Sequence, residues 1–175
     1  MSKLNKTKVI ITLITVAVIV AISSVGNFYC QRLFYPRRYS EHVERYAKEF
    51  CVPEHIVYAV IFVESGFDPS AHSEAGACGL MQLMPKTYSW LAKERQEAER
   101  GIYNEEENIK YGTLYLSMLY KKYEDWTLTF CAYNAGTGNV DKWLENKPFK
   151  IQFPETKNYV NKIEVAVDKY ESLYY

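Results

Sequence analysis

The residue that most invites a chemical interpretation is Glu64, which closes an apolar run ending in Ile61, Phe62 and Val63. A carboxyl group removed from water favours its neutral form, so its pKa rises. If it is protonated near neutral pH it can act as a general acid, and cleavage of a glycosidic bond needs such a group because the leaving oxygen must receive a proton. Taken alone, a glutamate at this position is more often exposed at the C-terminal end of a helix.

The segments that must position Glu64 carry apolar residues at helical spacing, which predicts that they form helices. A mostly buried helix runs into Glu64 and ends at Gly66, and alternation typical of strands is scarce, so an all-α fold is predicted. The charge-rich segment 93–107 is expected to be a solvated helix end and connection. Inward positions at helical spacing are predicted for Val43, Tyr46, Ala47, Phe50, Trp90, Leu91, Ile109, Gly112, Tyr115, Leu116, Leu119, Trp126, Thr129, Phe130, Tyr133, Val140, Trp143, Leu144, Tyr159, Val160, Ile163 and Val167.

The N-terminal segment has a different character from the rest of the chain. Lys3, Lys6 and Lys8 precede a stretch without charge from Val9 to Gln31. Its length and the lack of a clean A-x-A cleavage site favour an uncleaved single-pass anchor, and a cleaved signal peptide is the alternative. The lysines favour the cytoplasmic side, so the remainder is expected outside the membrane under either interpretation. The predicted divisions are a basic cytoplasmic N-terminus (1–8), the membrane or signal segment (9–27), a juxtamembrane linker (28–39) and a folded domain (40–175).

Composition narrows the class of protein further. Acidic and basic residues balance at 21 each among 175 residues, and without a basic stripe the chain is not expected to bind nucleic acid. The histidines at 42, 55 and 72 lack metal-ligand spacing, so no metal site is predicted. The cysteines at 30, 51, 78 and 131 could form disulfides outside the cytoplasm or serve as small buried hydrophobes.

The residues after Glu64 belong to a longer pattern. The stretch ESGFDPSAHSEAGACGLMQLMP, residues 64–85, is followed in order by NIKYGTLYL at 108–116, AYNAG at 132–136 and FPETKNYV at 153–160. This set resembles the lytic transglycosylase family whose fold is related to goose-type lysozyme. The resemblance implies a lysozyme-like helical catalytic domain over 40–175 that acts on the glycan strands of peptidoglycan without a cofactor.

The resemblance also implies a mechanism in which Glu64 is the sole acid and base. It protonates the oxygen between N-acetylmuramic acid and N-acetylglucosamine, then takes a proton from the muramic acid C6 hydroxyl, which attacks C1 and closes a 1,6-anhydro ring. The substrate's N-acetyl group stabilises the intermediate. The motif residues expected to bind substrate are Ser73, Met81, Gln82, Met84, Tyr133, Asn134, Glu155 and Tyr159, although one of the two methionines could instead have a core role.

Three alternatives stay open on sequence alone. A hydrolytic muramidase on the same fold needs the same glutamate, and a wall-binding module without activity needs only the cleft. An accessory enzyme of a cell-envelope machine, with a partner that the sequence does not name, would use the same chemistry. Because Cys78 and Cys131 lie beside motif residues, a bridge between them is a further hypothesis.

Overall fold

The computed structural model describes the backbone of residues 3–175 and the side chains from residue 8 onward. The chain divides into two compact units, one ending at Pro36 and the other running from Arg37 to Tyr175. The described residues are helical apart from loops and two isolated bridges, which confirms the predicted all-α class. The helices are α1 (Lys3–Phe34), α2 (Ser40–Phe50), α3 (Glu54–Ser65), α4 (Pro85–Glu94), α5 (Glu105–Tyr123), α6 (Trp126–Ala135), α7 (Thr137–Glu145) and α8 (Pro154–Tyr174).

Helix α1 accounts for nearly all of the first unit. Within Lys8–Phe34 an 18-residue window has a mean hydropathy of 2.6, and none of that window is buried. The helix is therefore long and apolar enough to cross a membrane, a property that signal sequences share. Because α1 continues to Phe34, the first half of the predicted linker 28–39 is helical. Most of the predicted basic segment 1–8 lies outside the described side chains.

Helix α3 is the central helix of the second unit and presents Glu64 in its last turn. Its residues from Ile56 to Ile61 are buried, and it packs against α2 and α8. Gly66 follows in the left-handed conformation (φ 60°), and its N–H donates to the carbonyl of Phe62 at 3.1 Å. This C-cap satisfies one of the carbonyls that a helix end leaves unpaired. The predicted helix that runs into Glu64 and stops at Gly66 is thus confirmed.

The other helices of the second unit bury most of the positions predicted to face inward. Helix α5 packs on α2 and α6, and α6 packs on α7 and α8. Two predicted positions are wrong. Trp90 is 41% exposed while its neighbour Leu91 is buried, and Leu144 is exposed while α7 buries Val140 and Trp143 instead. Both errors lie on short helices, where one buried stripe leaves little room for a second large side chain.

The charge-rich segment 93–107 is more structured than its composition indicates. Glu107 is only 2% exposed. Its carboxylate accepts hydrogen bonds from the Tyr88 hydroxyl, from the Arg100 N–H at 2.8 Å and from Arg100 Nε at 3.0 Å. Burial alone would raise the pKa of Glu107, but these hydrogen bonds outweigh it and lower the pKa. The prediction of a solvated connection is therefore wrong at this end of the segment, where a buried charge is paired.

All four cysteines are free thiols, so the hypothesis of a Cys78–Cys131 bridge is wrong. The Cys78 sulfur lies 3.5 Å from His72 Nδ1 and 3.4 Å from the carbonyl of Gly76. Cys131 is buried in α6, and burial raises the pKa of its thiol to about 11. The two buried cysteines therefore take the alternative role of small apolar side chains.

Candidate active site

Glu64 has the environment that its apolar neighbours predict. The residue is half-buried, and its Oε1 accepts a hydrogen bond of 2.5 Å from the Tyr159 hydroxyl. Burial disfavours the charged carboxylate and raises the pKa of Glu64, while the hydrogen bond from Tyr159 favours the carboxylate and lowers it. Burial has the larger effect, so the pKa rises from 4.5 to about 7. A carboxyl group with this pKa can give and take a proton near neutral pH.

Two tyrosines from different helices stand beside this carboxyl group. Tyr159 comes from the second turn of α8, and Tyr133 comes from the last turn of α6. Burial and the charge of Glu64 together raise the pKa of both hydroxyls well above 10. Both hydroxyls therefore keep their protons and act as hydrogen-bond donors. The Tyr133 hydroxyl donates to the carbonyl of Met81 at 2.8 Å.

Asn134 is exposed on α6 and held by α8. The hydroxyl of Thr156, which is only 2% exposed, donates to Asn134 Oδ1 at 2.8 Å. Because this bond uses the oxygen of the amide, the Nδ2 group remains as a donor. Thr156 was missed by sequence reasoning, although it lies between Glu155 and Tyr159 in the FPETKNYV segment. A hydroxyl on a buried helix position, in a motif already assigned to the site, was the available signal.

A cavity of about 220 Å³ lies beside Tyr133 and contains several of the predicted residues. Thr87 and Tyr115 also line it and were not predicted as site residues. Tyr115 was predicted to face the core because it lies at helical spacing with the apolar residues of α5. A tyrosine at such a position can still place its hydroxyl in a cavity. The full lining consists of Gln82, Leu83, Met84, Thr87, Tyr115, Tyr133, Asn134, Ala135 and Gly136.

The two methionines have different roles. Met81 is fully buried, so it takes the core role that was open for one of the pair, and its side chain cannot form the surface of the cavity floor. Met84 is 45% exposed and lines the cavity, where its flexible thioether can contact an apolar ligand face. Of the two, only Met84 is placed to touch a substrate.

Ser73 and Gln82 hold the loop between α3 and α4. The Ser73 hydroxyl accepts from the Ala77 N–H at 3.0 Å. The Gln82 Nε2 donates to the carbonyls of Ala71 and Gly79 at 3.1 and 2.9 Å. Gln82 also lines the cavity, and Ser73 does not. Both side chains shape the loop, and only Gln82 lies with Tyr133 and Asn134.

Two acidic residues, Glu155 and Asp68, do not line the cavity. Glu155 is exposed in the first turn of α8, where a negative charge is favourable to the helix dipole. Asp68 accepts hydrogen bonds from the N–H and the hydroxyl of Ser70, at 2.9 and 2.7 Å, which lower its pKa. Asp68 is thus a turn residue, as predicted for an Asp before a proline. In residues 8–175 no group of three or more His, Cys, Asp or Glu side chains could hold a metal ion.

Comparison with known proteins decides which family this arrangement belongs to. The family model described as the transglycosylase SLT domain matches residues 41–154. The chain belongs to the transglycosylase SLT domain family. The SLT match ends at the first residue of α8, so Thr156 and Tyr159 lie beyond it. The structure, and not the family match, shows that Thr156 contacts Asn134 and that Tyr159 contacts Glu64.

The relatives of this SLT chain are lytic murein transglycosylases. It is 31% identical over 150 residues to the soluble lytic murein transglycosylase of Escherichia coli strain K12, a match that covers 78% of this chain and 23% of the relative. It is 28% identical over 167 residues to the membrane-bound lytic murein transglycosylase C of Actinobacillus pleuropneumoniae serotype 5b, covering 77% and 46%. The SLT chain thus spans less than half the length of either relative.

Solved structures give the same result for the fold. The 70 kDa soluble lytic transglycosylase of Escherichia coli matches with a TM-score of 0.75 and 29% identity, over 81% of this chain and 25% of that one. The Slt lytic transglycosylase of Pseudomonas aeruginosa matches with a TM-score of 0.74 and 28% identity over the same shares. The predicted resemblance and the helical catalytic fold are confirmed.

Proposed function

We propose that the chain is a peptidoglycan lytic transglycosylase in which Glu64 is the sole acid and base. The observation that carries the proposal is the half-buried carboxyl group of Glu64 with a pKa of about 7. Near neutral pH both of its forms are populated, as a group that first donates and then accepts a proton requires. Membership of the SLT family supports peptidoglycan as the substrate.

The reaction proceeds in two proton transfers on one carboxyl group. Protonated Glu64 gives its proton to the glycosidic oxygen, and the bond from C1 of N-acetylmuramic acid to that oxygen breaks. The carboxylate of Glu64 then takes the proton of the C6 hydroxyl while the C6 oxygen bonds to C1. Glu64 ends protonated as it began, no water is consumed, and the product carries a 1,6-anhydro ring.

Among the described residues, burial and the Tyr159 hydroxyl are the causes that shift the pKa of Glu64, and no carboxylate is one of them. This supports assistance by the substrate. Glycosidases that use two carboxyl groups hold them about 5 to 10 Å apart. Among the described residues, the hydrogen-bond partner of Glu64 is the Tyr159 hydroxyl, and Asp68 is committed to Ser70. We infer that the N-acetyl group of the substrate stabilises the intermediate in place of an enzyme carboxylate.

The tyrosines position the proton carrier in this proposal. The Tyr159 hydroxyl favours the Oε1 end of the carboxyl group as its acceptor, which leaves Oε2 for the glycosidic oxygen. Asn134, oriented by Thr156, offers Nδ2 as a donor at the cavity beside Tyr133. Gln82 and Met84 complete that wall, one polar and one apolar, a combination that suits the two faces of a sugar ring. Direct substrate contacts by Ser73 and Glu155 stay predictions.

We further infer that α1 anchors the catalytic unit at the outer face of the cell membrane. A membrane-bound relative and one apolar N-terminal helix support membrane attachment or export. The lysines before α1 favour a cytoplasmic N-terminus. Protease treatment of spheroplasts, with mass spectrometry of the N-terminus, tests both points: digestion only from outside and an intact N-terminus fit an anchor, whereas a new N-terminus after α1 fits a signal peptide. A protein partner in the cell envelope stays a prediction.

Digestion of purified peptidoglycan tests the reaction itself. The full chain in detergent is compared with Glu64→Gln, and with Glu74→Gln as a control because Glu74 is exposed in the loop after α3. Mass spectrometry after borohydride reduction is expected to find anhydro-muropeptides that resist reduction for the wild type and the control, and none for Glu64→Gln.

Other outcomes would replace the proposal. Reducible ends would identify a hydrolase on the same fold. Wall binding without products from any variant would favour a binding module. Equal cleavage by the wild type and Glu64→Gln would remove Glu64 from the chemistry.

A further inference from the structure

The side chain of Asn108, at the start of α5, joins two loops to each other. It is 1% exposed, and all of its polar atoms are used. Its Oδ1 accepts from the Met81 N–H at 2.7 Å, and its Nδ2 donates to the carbonyls of Cys78 and Ile102 at 3.0 and 2.8 Å. An amide side chain has one acceptor and two donor hydrogens that match these three backbone groups, whereas an aspartate would place a charge against two carbonyl oxygens.

Two glycines make this approach possible. A Cβ on Gly79 would lie 2.5 Å from Asn108 Nδ2 and 3.1 Å from the carbonyl oxygen of Ile102. Gly79 also has φ 77°, which a side chain disfavours. A Cβ on Gly112, one turn after Asn108, would collide with the Met81 side chain. The loop around Met81 therefore lies directly against α5, and a glycine is present at both points of close contact.

The backbone of Met81 connects this contact to the active site. Its N–H is held by Asn108, and its carbonyl accepts the hydroxyl of Tyr133 at 2.8 Å. Tyr133 in turn lines the cavity, and its hydroxyl lies close enough to Glu64 for the carboxylate charge to raise its pKa. A shift of the Met81 peptide would thus move the acceptor that fixes the Tyr133 ring.

We propose that Asn108 is a positioning residue for the reaction at Glu64. By holding Met81 at its N–H, it fixes the carbonyl that accepts Tyr133 and so sets where the Tyr133 ring stands beside the carboxyl group. Asn108 touches no substrate in this proposal and acts through two hydrogen bonds in series. The inference rests on the proposed function, because a rate is needed to measure its effect.

A double-mutant cycle in the full chain tests the connection. Asn108→Ala is expected to lower kcat about tenfold with a smaller change in KM, since loss of one well-made hydrogen bond changes a rate by roughly that factor. In the Tyr133→Phe background the same substitution is expected to change kcat less than about twofold, because the hydroxyl it positions is already absent. An equal fold loss in both backgrounds would overturn the proposal, since a general loss of structure affects both equally.

A matched core variant separates positioning from stability. Ile109→Ala, at the buried neighbour of Asn108, lowers the melting temperature without removing a hydrogen bond to Met81. It is expected to keep kcat at a temperature where both variants are folded. If Asn108→Ala does not fold, Asn108→Leu, of similar shape but without an acceptor for the Met81 N–H, takes its place in the cycle. A fall in kcat for Ile109→Ala as large as that for the Asn108 variant would also overturn the proposal.

A spectroscopic measurement needs no activity and so distinguishes the two proposals. Tyrosine labelled with ¹³C at Cζ gives one signal per ring, and the Tyr133 signal is the one lost in Tyr133→Phe. Asn108→Ala is expected to move this signal and to leave that of Tyr170, buried on the far part of α8, in place. An unmoved Tyr133 signal would refute the positioning role of Asn108, independently of any activity measurement. A moved signal in a chain that cleaves no peptidoglycan would leave the positioning intact and refute only the proposed function.

Discussion

Replacing Glu64 with glutamine is expected to stabilise the protein above neutral pH while it abolishes activity. The pKa of Glu64 is raised in the folded state from its ordinary 4.5 to about 7. Between these values the folded chain holds a proton that the unfolded chain has lost, so the wild type loses stability as the pH rises from 4.5 to 7. Glutamine has no proton to lose and keeps an oxygen that can accept the Tyr159 hydroxyl.

The size of the effect follows from the two pKa values. The gap between 4.5 and about 7, at about 1.4 kcal/mol per pKa unit, is about 3 kcal/mol. For a helical unit of this length, about 3 kcal/mol corresponds to a change of about 10 °C in melting temperature. The two proteins should therefore melt together at pH 4, diverge from pH 5 to 7, and differ by a constant amount at pH 8 and above.

Thermal unfolding of the full chain in detergent, followed by circular dichroism at each pH, measures this difference. Glu74→Gln is the control, because Glu74 is exposed and its replacement should leave the melting curves of wild type and variant together at every pH. Coincident curves for Glu64→Gln and wild type from pH 4 to 9 would show that the carboxyl group is not desolvated. A lower melting temperature for Glu64→Gln at pH 8 would show that its charge is stabilising, and either result would refute the reasoning for a raised pKa.

Three further predictions concern the residues around the site. The rate of peptidoglycan cleavage should fall as the pH rises above about 7, because Glu64 loses its proton. In pH–rate profiles of Tyr159→Phe this fall should occur at higher pH, because the variant lacks the hydroxyl that stabilises the Glu64 carboxylate. Gly112→Ala should lower the free energy of unfolding in urea by about 1–3 kcal/mol through overpacking, whereas Gly138→Ala, with open space at its Cβ on α7, should raise it by about 0.5–1 kcal/mol. Glu107→Gln should destabilise at pH 7 by about 2 kcal/mol, and the difference should shrink as the pH falls through the lowered pKa of Glu107.

Each of these predictions has an outcome that would contradict it. A pH profile of Tyr159→Phe that falls at the same pH as the wild type would mean that the hydroxyl does not bond the carboxylate. Equal stabilities of the two glycine variants would mean that the loop containing Met81 shifts to accommodate the added methyl group at no cost in stability. A difference between wild type and Glu107→Gln that persists at pH 2 would assign its stability to packing and not to the paired charge.

The sequence predicted the residues proposed for the chemistry better than it predicted the residues that hold them in place. Glu64 could be found because an apolar run before a carboxyl group is a local signal, and Gly66 marks the helix end beside it. Tyr133 and Tyr159 came from motif resemblance, since nothing in their own spacing places them on one carboxyl group. Their meeting depends on the packing of α8 against α3 and α6, which no local pattern encodes.

The buried polar residues were the hardest to predict. Glu107 lies within a charge-rich segment, and composition alone indicates solvent there, yet the hydroxyl of Tyr88, 19 positions before it, donates a hydrogen bond to its buried carboxylate. Thr156 is an ordinary helix residue by its sequence context, and only the structure shows that its hydroxyl on α8 donates a hydrogen bond to Asn134 on α6. Met81 lies in a loop, where burial is unexpected, and only the glycine on the facing helix permits it. In each case the deciding contact joins residues that are distant in sequence.

The contact between α3 and α8 has a consequence for the order in which the site can form during synthesis of the chain. Glu64 and Tyr159 are separated by 95 positions, so a ribosome must release nearly the entire chain before the carboxyl group meets its tyrosine. A nascent chain emerging in order from the N-terminus carries the helix with the acid long before the helix with its partner. The contact between Glu64 and Tyr159 therefore cannot form until α8 has been synthesised. A chain cut short before α8 would carry every motif through AYNAG and would lack the hydroxyl that bonds the Glu64 carboxyl group.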